Sequence, residues 1–482
     1  MGGGGPADSR RGRPAAAADA RGGGGIVTST PVSIGSGLAR RVAAELGQNV
    51  WLCYQCVRCT SGCPISRFFD WQPSQIMRAL QLGQEDVALH AQTPWLCASC
   101  QACTTHCPQG LDVAGIMDFL TREAMGRGVK PPVPEADAFN SAFLREVRLW
   151  RRAYDLGMLA ELKLRTGHLT EDLDIGLKMF RKGKFAFLPR RPRRRRRARP
   201  VQGATDAVAY YPGCSLTSTA KEYDESTRAV CDALGITLLE PKGWVCCGGS
   251  VAHRADPQRA FDLPMENLSL VARSGFSEVT MPCAGCFSRH KFAQAAEPGE
   301  EAAAVGPAVR VSSLLETILQ HAGTQEVAAR VKRPLKGLRV VCYYGCMLTR
   351  PPDVTGAGRP EDPTEMDRLV AALGAQVIDW SYKTACCGAV HSLVRKEIVL
   401  TLGKELIDQA RAAGADAIAV ACPLCHANLD ARQTQMEIDQ PMPVLYFTQL
   451  MAIAMGLPPK AAALNGNLMD ARPILKEKAL ID

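Results

Sequence analysis

The chain lacks the features that would place it in an oxidising compartment. It opens Met1-Gly-Gly-Gly-Gly-Pro, with no basic segment followed by an apolar one. No secretory signal is read, and a cytoplasmic location is expected. Its 20 cysteines in 482 residues fall well short of the density of a small disulfide scaffold. A broad basic face is also lacking. The formal net charge is +9, but Arg190, Arg191, Arg193, Arg194, Arg195, Arg196, Arg197 and Arg199 lie in one ten-residue run. Outside that run the chain is close to neutral, which argues against nucleic acid as a partner. A membrane span is lacking too. Gln440 to Pro459 is uncharged and about as long as a bilayer requires, but Pro441, Pro443, Pro458, Thr448 and Gln449 interrupt it.

What the chain does have is clustered cysteine, which in a reducing compartment binds metal or carries redox chemistry. The hydrophobic fraction of 46% and charged fraction of 22% are ordinary for a globular protein, and the length suggests roughly three domains. Residues 1–35, rich in Gly, Ala and Arg, read as a disordered tail. A Cys-rich unit spans 36–135. Connecting helices follow over 136–189, with Phe139, Phe143, Val147, Trp150, Tyr154 and Leu159 at helical spacing. The arginine run lies in a Pro-punctuated linker at 190–205, and residues 461–482 form a C-terminal tail.

Between them lies an internal duplication, 206–330 and 336–460. The first copy opens Tyr210-Tyr-Pro-Gly-Cys214 and the second Tyr343-Tyr-Gly-Cys346. Each continues through Ala-Leu-Gly to Cys-Cys-Gly and then to a Cys-x-x-Cys. Val311-Ser-Ser-Leu-Leu-Glu in the first copy corresponds to Val444-Leu-Tyr-Phe-Thr-Gln in the second, so the uncharged stretch reads as a buried helix. Strands such as 207–211 and 339–343 alternate with helices, which predicts two α/β units behind a helical Cys-rich domain.

Cys53, Cys56, Cys59 and Cys63-Pro64 have the spacing C-x2-C-x2-C-x3-C-P, and Cys97, Cys100, Cys103 and Cys107-Pro108 repeat it. This is the two-cluster ferredoxin pattern, in which the fourth cysteine of each run ligates the other cluster. Cys53, Cys56, Cys59 and Cys107 are therefore assigned to one cubane 4Fe–4S cluster, and Cys97, Cys100, Cys103 and Cys63 to a second. Zinc sites usually pair two C-x2-C units, without a third cysteine in step or a following proline.

The duplicated half supplies Cys214, Cys246, Cys247, Cys283 and Cys286 from one copy, and Cys346, Cys386, Cys387, Cys422 and Cys425 from the other. Five is one more than a cubane needs. For both members of Cys-Cys-Gly to serve one cofactor they must sit in a turn, because adjacent strand residues point to opposite faces. The count fits a larger or irregular cluster, or a cubane with a spare reactive thiol. Cys231 and Cys342 read as core residues. His253 and His391, shortly after the two Cys-Cys-Gly turns, could donate protons, although a structural role suits them better.

At these residues the chain resembles heterodisulfide reductase, in the order of a fusion of its ferredoxin-like, C-type component with its B-type component of paired CCG domains. The resemblance implies that each set of five cysteines holds a noncubane 4Fe–4S cluster and that a disulfide is cleaved between them. It implies an electron donor like the family's flavin-containing, A-type component. It also implies a small thiol or disulfide substrate and membership of a hetero-oligomer. The second family resembled, the iron–sulfur subunits of flavin-dependent 2-hydroxyacid or glycerol-3-phosphate dehydrogenases, would make the chain an electron carrier. The two complete five-cysteine motifs favour the enzyme.

Overall fold

The computed structural model describes residues 1, 37–189, 191–192, 206–296, 309–438 and 440–482. Apart from Met1, the N-terminal tail over 1–35 lies outside the described residues, as does the linker over 190–205 apart from Arg191 and Pro192.

The Cys-rich unit is helical. Its principal helices are α1 (Gly37–Leu46), α2 (Pro73–Leu82) and α3 (Val113–Gly126). Helix α2 starts with Pro73 at its first position behind a Gln72/Gln75 capping box, and it ends at Gly83 in the left-handed conformation. Asp112 caps α3 by accepting from the Gly115 N–H at 2.9 Å. Ile76, Met77 and Leu80 of α2 join Ile116, Phe119 and Leu120 of α3 around Trp95 in one core. Three further helices, α4 (Pro134–Trp150), α5 (Asp155–Thr166) and α6 (Leu173–Arg181), lead to the duplicated half.

Each copy is a four-stranded parallel sheet. The first comprises β1 (Val208–Tyr210), β2 (Leu238–Leu239), β3 (Glu278–Met281) and β4 (Arg310–Ser313), in spatial order β2-β1-β3-β4. The second comprises β5 (Arg339–Tyr343), β6 (Gln376–Val377), β7 (Ala417–Val420) and β8 (Val444–Tyr446), in order β6-β5-β7-β8. The α/β expectation holds in both. Strands β3 and β7 are buried along their whole length, as a parallel sheet covered on both faces requires.

The helices of the first copy include α7 (Lys221–Ala233), α8 (Pro257–Arg273), α9 (Ala284–Ala295) and α10 (Leu314–His321). Those of the second include α11 (Glu365–Ala372), α12 (Lys396–Ala412), α13 (Pro423–Ala431) and α14 (Phe447–Ala454). The copies share one core across the α7–α14 contact. There Tyr223 stacks on Tyr446 at 4.0 Å between ring centres, and the Ser226 and Thr448 hydroxyls lie 2.7 Å apart. Helix α14 lies in the uncharged stretch and is buried throughout, as the duplication predicted. Among the described residues no helix is long and apolar enough to cross a membrane.

In each sheet the chain runs outward in opposite directions from the central pair, so a crevice opens at the carboxyl ends of β1 and β3, and of β5 and β7. Ligands of open parallel sheets bind at such switch points. Cys214 and Cys283 follow β1 and β3; Cys346 and Cys422 follow β5 and β7. The fold thus carries both Cys-x-x-Cys motifs and both leading cysteines to equivalent places.

Candidate functional site

The site is built by the same local devices in both copies. Tyr211, three residues before Cys214, donates its hydroxyl to the Val245 carbonyl at 2.7 Å. Tyr343, three before Cys346, donates to the Ala385 carbonyl at the same distance. Each tyrosine thereby fixes the residue ahead of a Cys-Cys pair. Asn267 braces Val245 through its N–H and carbonyl, and Asn428 donates to the Cys387 carbonyl at 3.3 Å. The Cys-Cys-Gly segments are turns, with φ of 85° at Gly248 and 71° at Gly388. Gly213 and Gly345, immediately before the leading cysteines, also have positive φ. A Cβ there would stand 3.0 Å from Cys286 Sγ and 2.8 Å from Cys425 Sγ, so only glycine lets the leading loop close onto the Cys-x-x-Cys.

These turns bring all ten cysteines of the duplicated half to the wall of one cavity of about 1000 Å³. Cys247 and Cys286 lie 3.4 Å apart. Cys283 and Cys422, the first cysteines of the two Cys-x-x-Cys motifs, are hydrogen-bonded across the boundary between the copies. Thiol–thiol bonds hold Cys247, Cys387 and Cys422 below the usual thiol range. Cys246, Cys286 and Cys425, which share those protons, are pushed up. Backbone N–H groups aim at sulfur as well: Gly249 at Cys247, Ala153 at Cys214 and Gly388 at Cys386.

Helices α5 and α6 supply much of the apolar wall, through Leu156, Leu159 and Leu162 and through Leu173, Leu177 and Phe180. Leu173, Leu177 and Phe180 stay at least half exposed, which marks the mouth. Cys231 and Cys342 are fully buried in the core and are not among the cavity's lining residues.

In the Cys-rich unit both three-cysteine loops hold non-glycine residues at positive φ in matching places: Gln55 and Val57 in one, Ser99 and Gln101 in the other. For a β-branched valine this is strained, and such strain gathers at functional sites. Burial and the Cys100 and Cys97 thiols push Cys63 up, so Cys63 lies by the second loop; Cys59 is pushed to about 11 by burial and by Cys53.

A sulfur contact joins the dicluster domain to the second CCG domain. Cys100 and Cys386 are hydrogen-bonded, which lowers Cys100 to about 6 and raises Cys386. On the other flank Arg254 donates to the Cys97 and Trp95 carbonyls, Ser99 Oγ and Asp118. His253 and His391 are not among the cavity's lining residues, and burial pushes both down, His391 to about 3. Neither is placed to hand a proton into the cavity.

Sequence reasoning missed Arg254, Arg289 and Arg350, buried beside the cysteines. No local pattern marks them. It also gave no role to Tyr211 and Tyr343, although their identical offset from Cys214 and Cys346 was available.

Comparison with known proteins follows the same division. A family model described as a cysteine-rich domain (CCG) matches residues 208–289 and 340–430, and one described as a 4Fe-4S dicluster domain matches 52–112. The 8-methylmenaquinol:fumarate reductase membrane anchor subunit of Wolinella succinogenes is 32% identical over 280 residues, covering 55% of this chain and 97% of that protein. The chain belongs to the CCG family. The B-type components of two heterodisulfide reductases also match. That of the ferredoxin/F(420)H(2)-dependent CoB-CoM enzyme of Methanosarcina acetivorans is 26% identical over 281 residues, covering 54% of this chain and 93% of that one. That of the ferredoxin:CoB-CoM enzyme of Methanosarcina mazei is 27% identical with the same coverage. The duplicated half is thus similar to the B-type component of heterodisulfide reductases as well as to the Wolinella subunit. The dicluster domain ahead of its CCG domains is consistent with a fusion of C-like and B-like parts.

Proposed function

We propose that the chain reduces a disulfide to two thiols, or runs the reverse oxidation, in the cavity shared by its CCG domains. The observation that carries this reading is the convergence of both five-cysteine sets on one space, with Cys283 and Cys422 meeting between them. Cys53, Cys56, Cys59 and Cys107 would hold one relay 4Fe–4S cluster, and Cys97, Cys100, Cys103 and Cys63 another. Cys214, Cys246, Cys247, Cys283 and Cys286 would hold a third, and Cys346, Cys386, Cys387, Cys422 and Cys425 a fourth, both noncubane.

The fit rests on the donor set. Among the described residues no group of three or more His, Cys, Asp or Glu is placed to hold a single metal ion. Buried thiols instead ring a larger space, with N–H groups aimed at sulfur and a buried guanidinium, Arg289, whose Nε and Nη2 lack partners. That setting suits an anionic multi-atom group. When bound, such clusters supply carriers that change charge one electron at a time.

The chain's own residues do the rest. Cys100 and Cys386 tie the relay to the second CCG domain, and the apolar wall keeps water from the sulfurs. Cleaving one disulfide takes two electrons and two protons and yields two thiols. The electrons come from a flavin-containing partner, like the A-type component of heterodisulfide reductase, in a hetero-oligomer. The protons come from solvent at the mouth, beside Lys163, His168 and Lys396.

Anaerobic purification should yield about sixteen irons per chain, four for each of four clusters, and a flavoprotein donor should be oxidised in step with added disulfide. About eight irons, with both five-cysteine sets empty, would overturn the assignment. A second reading, an electron carrier serving a quinone-linked flavoprotein, is favoured by the name of the Wolinella relative. Electron flow between a flavoprotein and quinone, in either direction, with no response to any thiol would establish it instead.

A further inference from the structure

In each CCG domain a buried arginine follows a cluster cysteine by three or four residues, Arg289 in the first and Arg350 in the second, and the two are placed differently. Arg289 stands three residues after Cys286, where the second copy has Asn428; Arg350 stands four after Cys346, where the first copy has Ser218. Arg350 is neutralised where it lies. Its Nε donates to Glu361 Oε1 at 2.7 Å, a second guanidinium nitrogen also meets Glu361, and Nη1 donates to the Thr384 carbonyl at 3.0 Å.

Arg289 is not neutralised in this way. It is 5% exposed, and its Nε and Nη2 have no hydrogen-bond partner. Among the described residues it forms no ion pair; its guanidinium lies 4.8 Å over the Phe292 ring. Asp118 and Asp112 act on it from the dicluster domain. Asp118, however, is bonded to Arg254 and Ser99 and faces His253 at 3.4 Å. Asp112 accepts from the Gly115 N–H and the Thr104 hydroxyl. The thiol that Arg289's charge reaches is Cys247, in the first copy's site. A buried cation without a partner is costly, and an anionic group on the neighbouring thiolates offsets that cost.

We infer that Arg289 sets the direction of electron flow between the two CCG sites, making the first site the stronger electron acceptor. The inference rests on the assignment of a cluster to each five-cysteine set. An uncompensated cation stabilises added negative charge nearby, whereas an ion pair such as Arg350–Glu361 presents little net charge at a distance. A reduced flavoprotein supplies the relay. Electrons enter the second site at the Cys100–Cys386 contact, each transfer oxidises the second site and reduces the first by one electron, and the disulfide is the final acceptor. No bond forms or breaks in that transfer. Arg289 is thus a positioning residue that acts through charge.

The test is a redox titration of the anaerobically purified full chain, followed by electron paramagnetic resonance. The first-site signal is identified by its absence from Cys246→Ala. In the unaltered chain the first site should be reduced at a higher potential than the second. Arg289→Gln should lower the first-site potential and leave the second unchanged. Glu361→Gln, which leaves the buried Arg350 without its partly exposed carboxylate partner, should raise the second-site potential and narrow the gap. If Arg289→Gln loses iron, Arg289→Lys keeps the charge and should keep the potential; a fall there would overturn the inference. A first-site potential unmoved by Arg289→Gln at full iron content would overturn it as well. Empty five-cysteine sets in the unaltered chain would instead remove the proposed function and this inference together.

Discussion

The two CCG domains use one scaffold in two settings. In the second, Cys346 and Cys386 belong to the same apolar cluster as the dicluster domain, and Cys386 bonds directly to Cys100. In the first, the leading cysteine lies beneath the connecting helices: Cys214 accepts from the Ala153 N–H, and Cys246 packs with Val147 and Phe143. The first domain meets the dicluster domain through charge, at Arg254, rather than through sulfur. Duplication made two equivalent sites, and a single dicluster domain, which can touch only one of them closely, made them unequal. Under the proposed function the difference would give electrons an entry side, and it leaves the other side to the connecting helices.

The sharpest way to break this comparison is to remove one sulfur on each side. Cys386→Ala and Cys246→Ala should each cost one cluster, about four irons, and both should abolish disulfide cleavage. They should differ in what still takes electrons. With Cys386→Ala the remaining CCG site should no longer be reduced through the relay, because the contact with Cys100 is gone. With Cys246→Ala the second site should still be reduced rapidly. Rapid mixing with a reduced flavoprotein donor separates the two outcomes, and equal behaviour would mean that the relay serves both sites alike.

The charged junction of the first domain gives the next largest effect. Arg254 is buried and bonded to four partners in the dicluster domain. Arg254→Met leaves Asp118 and two carbonyls short of a donor, and such a break in a buried network costs about 3–5 kcal/mol. Thermal unfolding should show that loss as an early separation of the dicluster domain. The second-domain contact, built on sulfur, apolar packing and the Arg67–Glu405 and His106–Glu361 pairs, should keep the relay's iron in place.

Much of this plan was legible in the sequence because it is written in spacing. The repeated C-x2-C-x2-C-x3-C-P runs and the paired five-cysteine sets survive any folding of the chain between them. The order of apolar runs and helices was enough for two parallel α/β domains. The duplication also read the uncharged stretch correctly, since α14 occupies the place of α10 and is buried against α7. The Cys100–Cys386 contact was not legible, because it joins residues nearly three hundred positions apart that belong to different motifs. Arg254, Arg289 and Arg350 were not legible for a related reason: burial of a charge is decided by what packs around it from elsewhere, and no local periodicity announces it. The two histidines were of interest because they follow the Cys-Cys-Gly turns, yet neither is among the residues that line the cavity.

The smallest effect concerns what the domains share. Gly213 and Gly345 have nearly the same φ, 69° and 72°, and each faces the second sulfur of its own Cys-x-x-Cys. Alanine at either place must adopt left-handed backbone, at roughly 1–2 kcal/mol, and its Cβ must also displace Cys286 or Cys425. If the copies are locally equivalent, Gly213→Ala and Gly345→Ala should destabilise by similar amounts in denaturant unfolding, and each should weaken iron retention only in its own domain. Their consequences for electron flow should diverge. Loosening the second site interrupts entry from the relay, whereas loosening the first leaves the second reducible but deprives it of an acceptor. Matched stability losses with unmatched electron transfer would place the inequality of the two domains in their surroundings. Unmatched stability losses would place it within the scaffold itself, in the Pro212 that precedes Gly213 where the second copy has Tyr344.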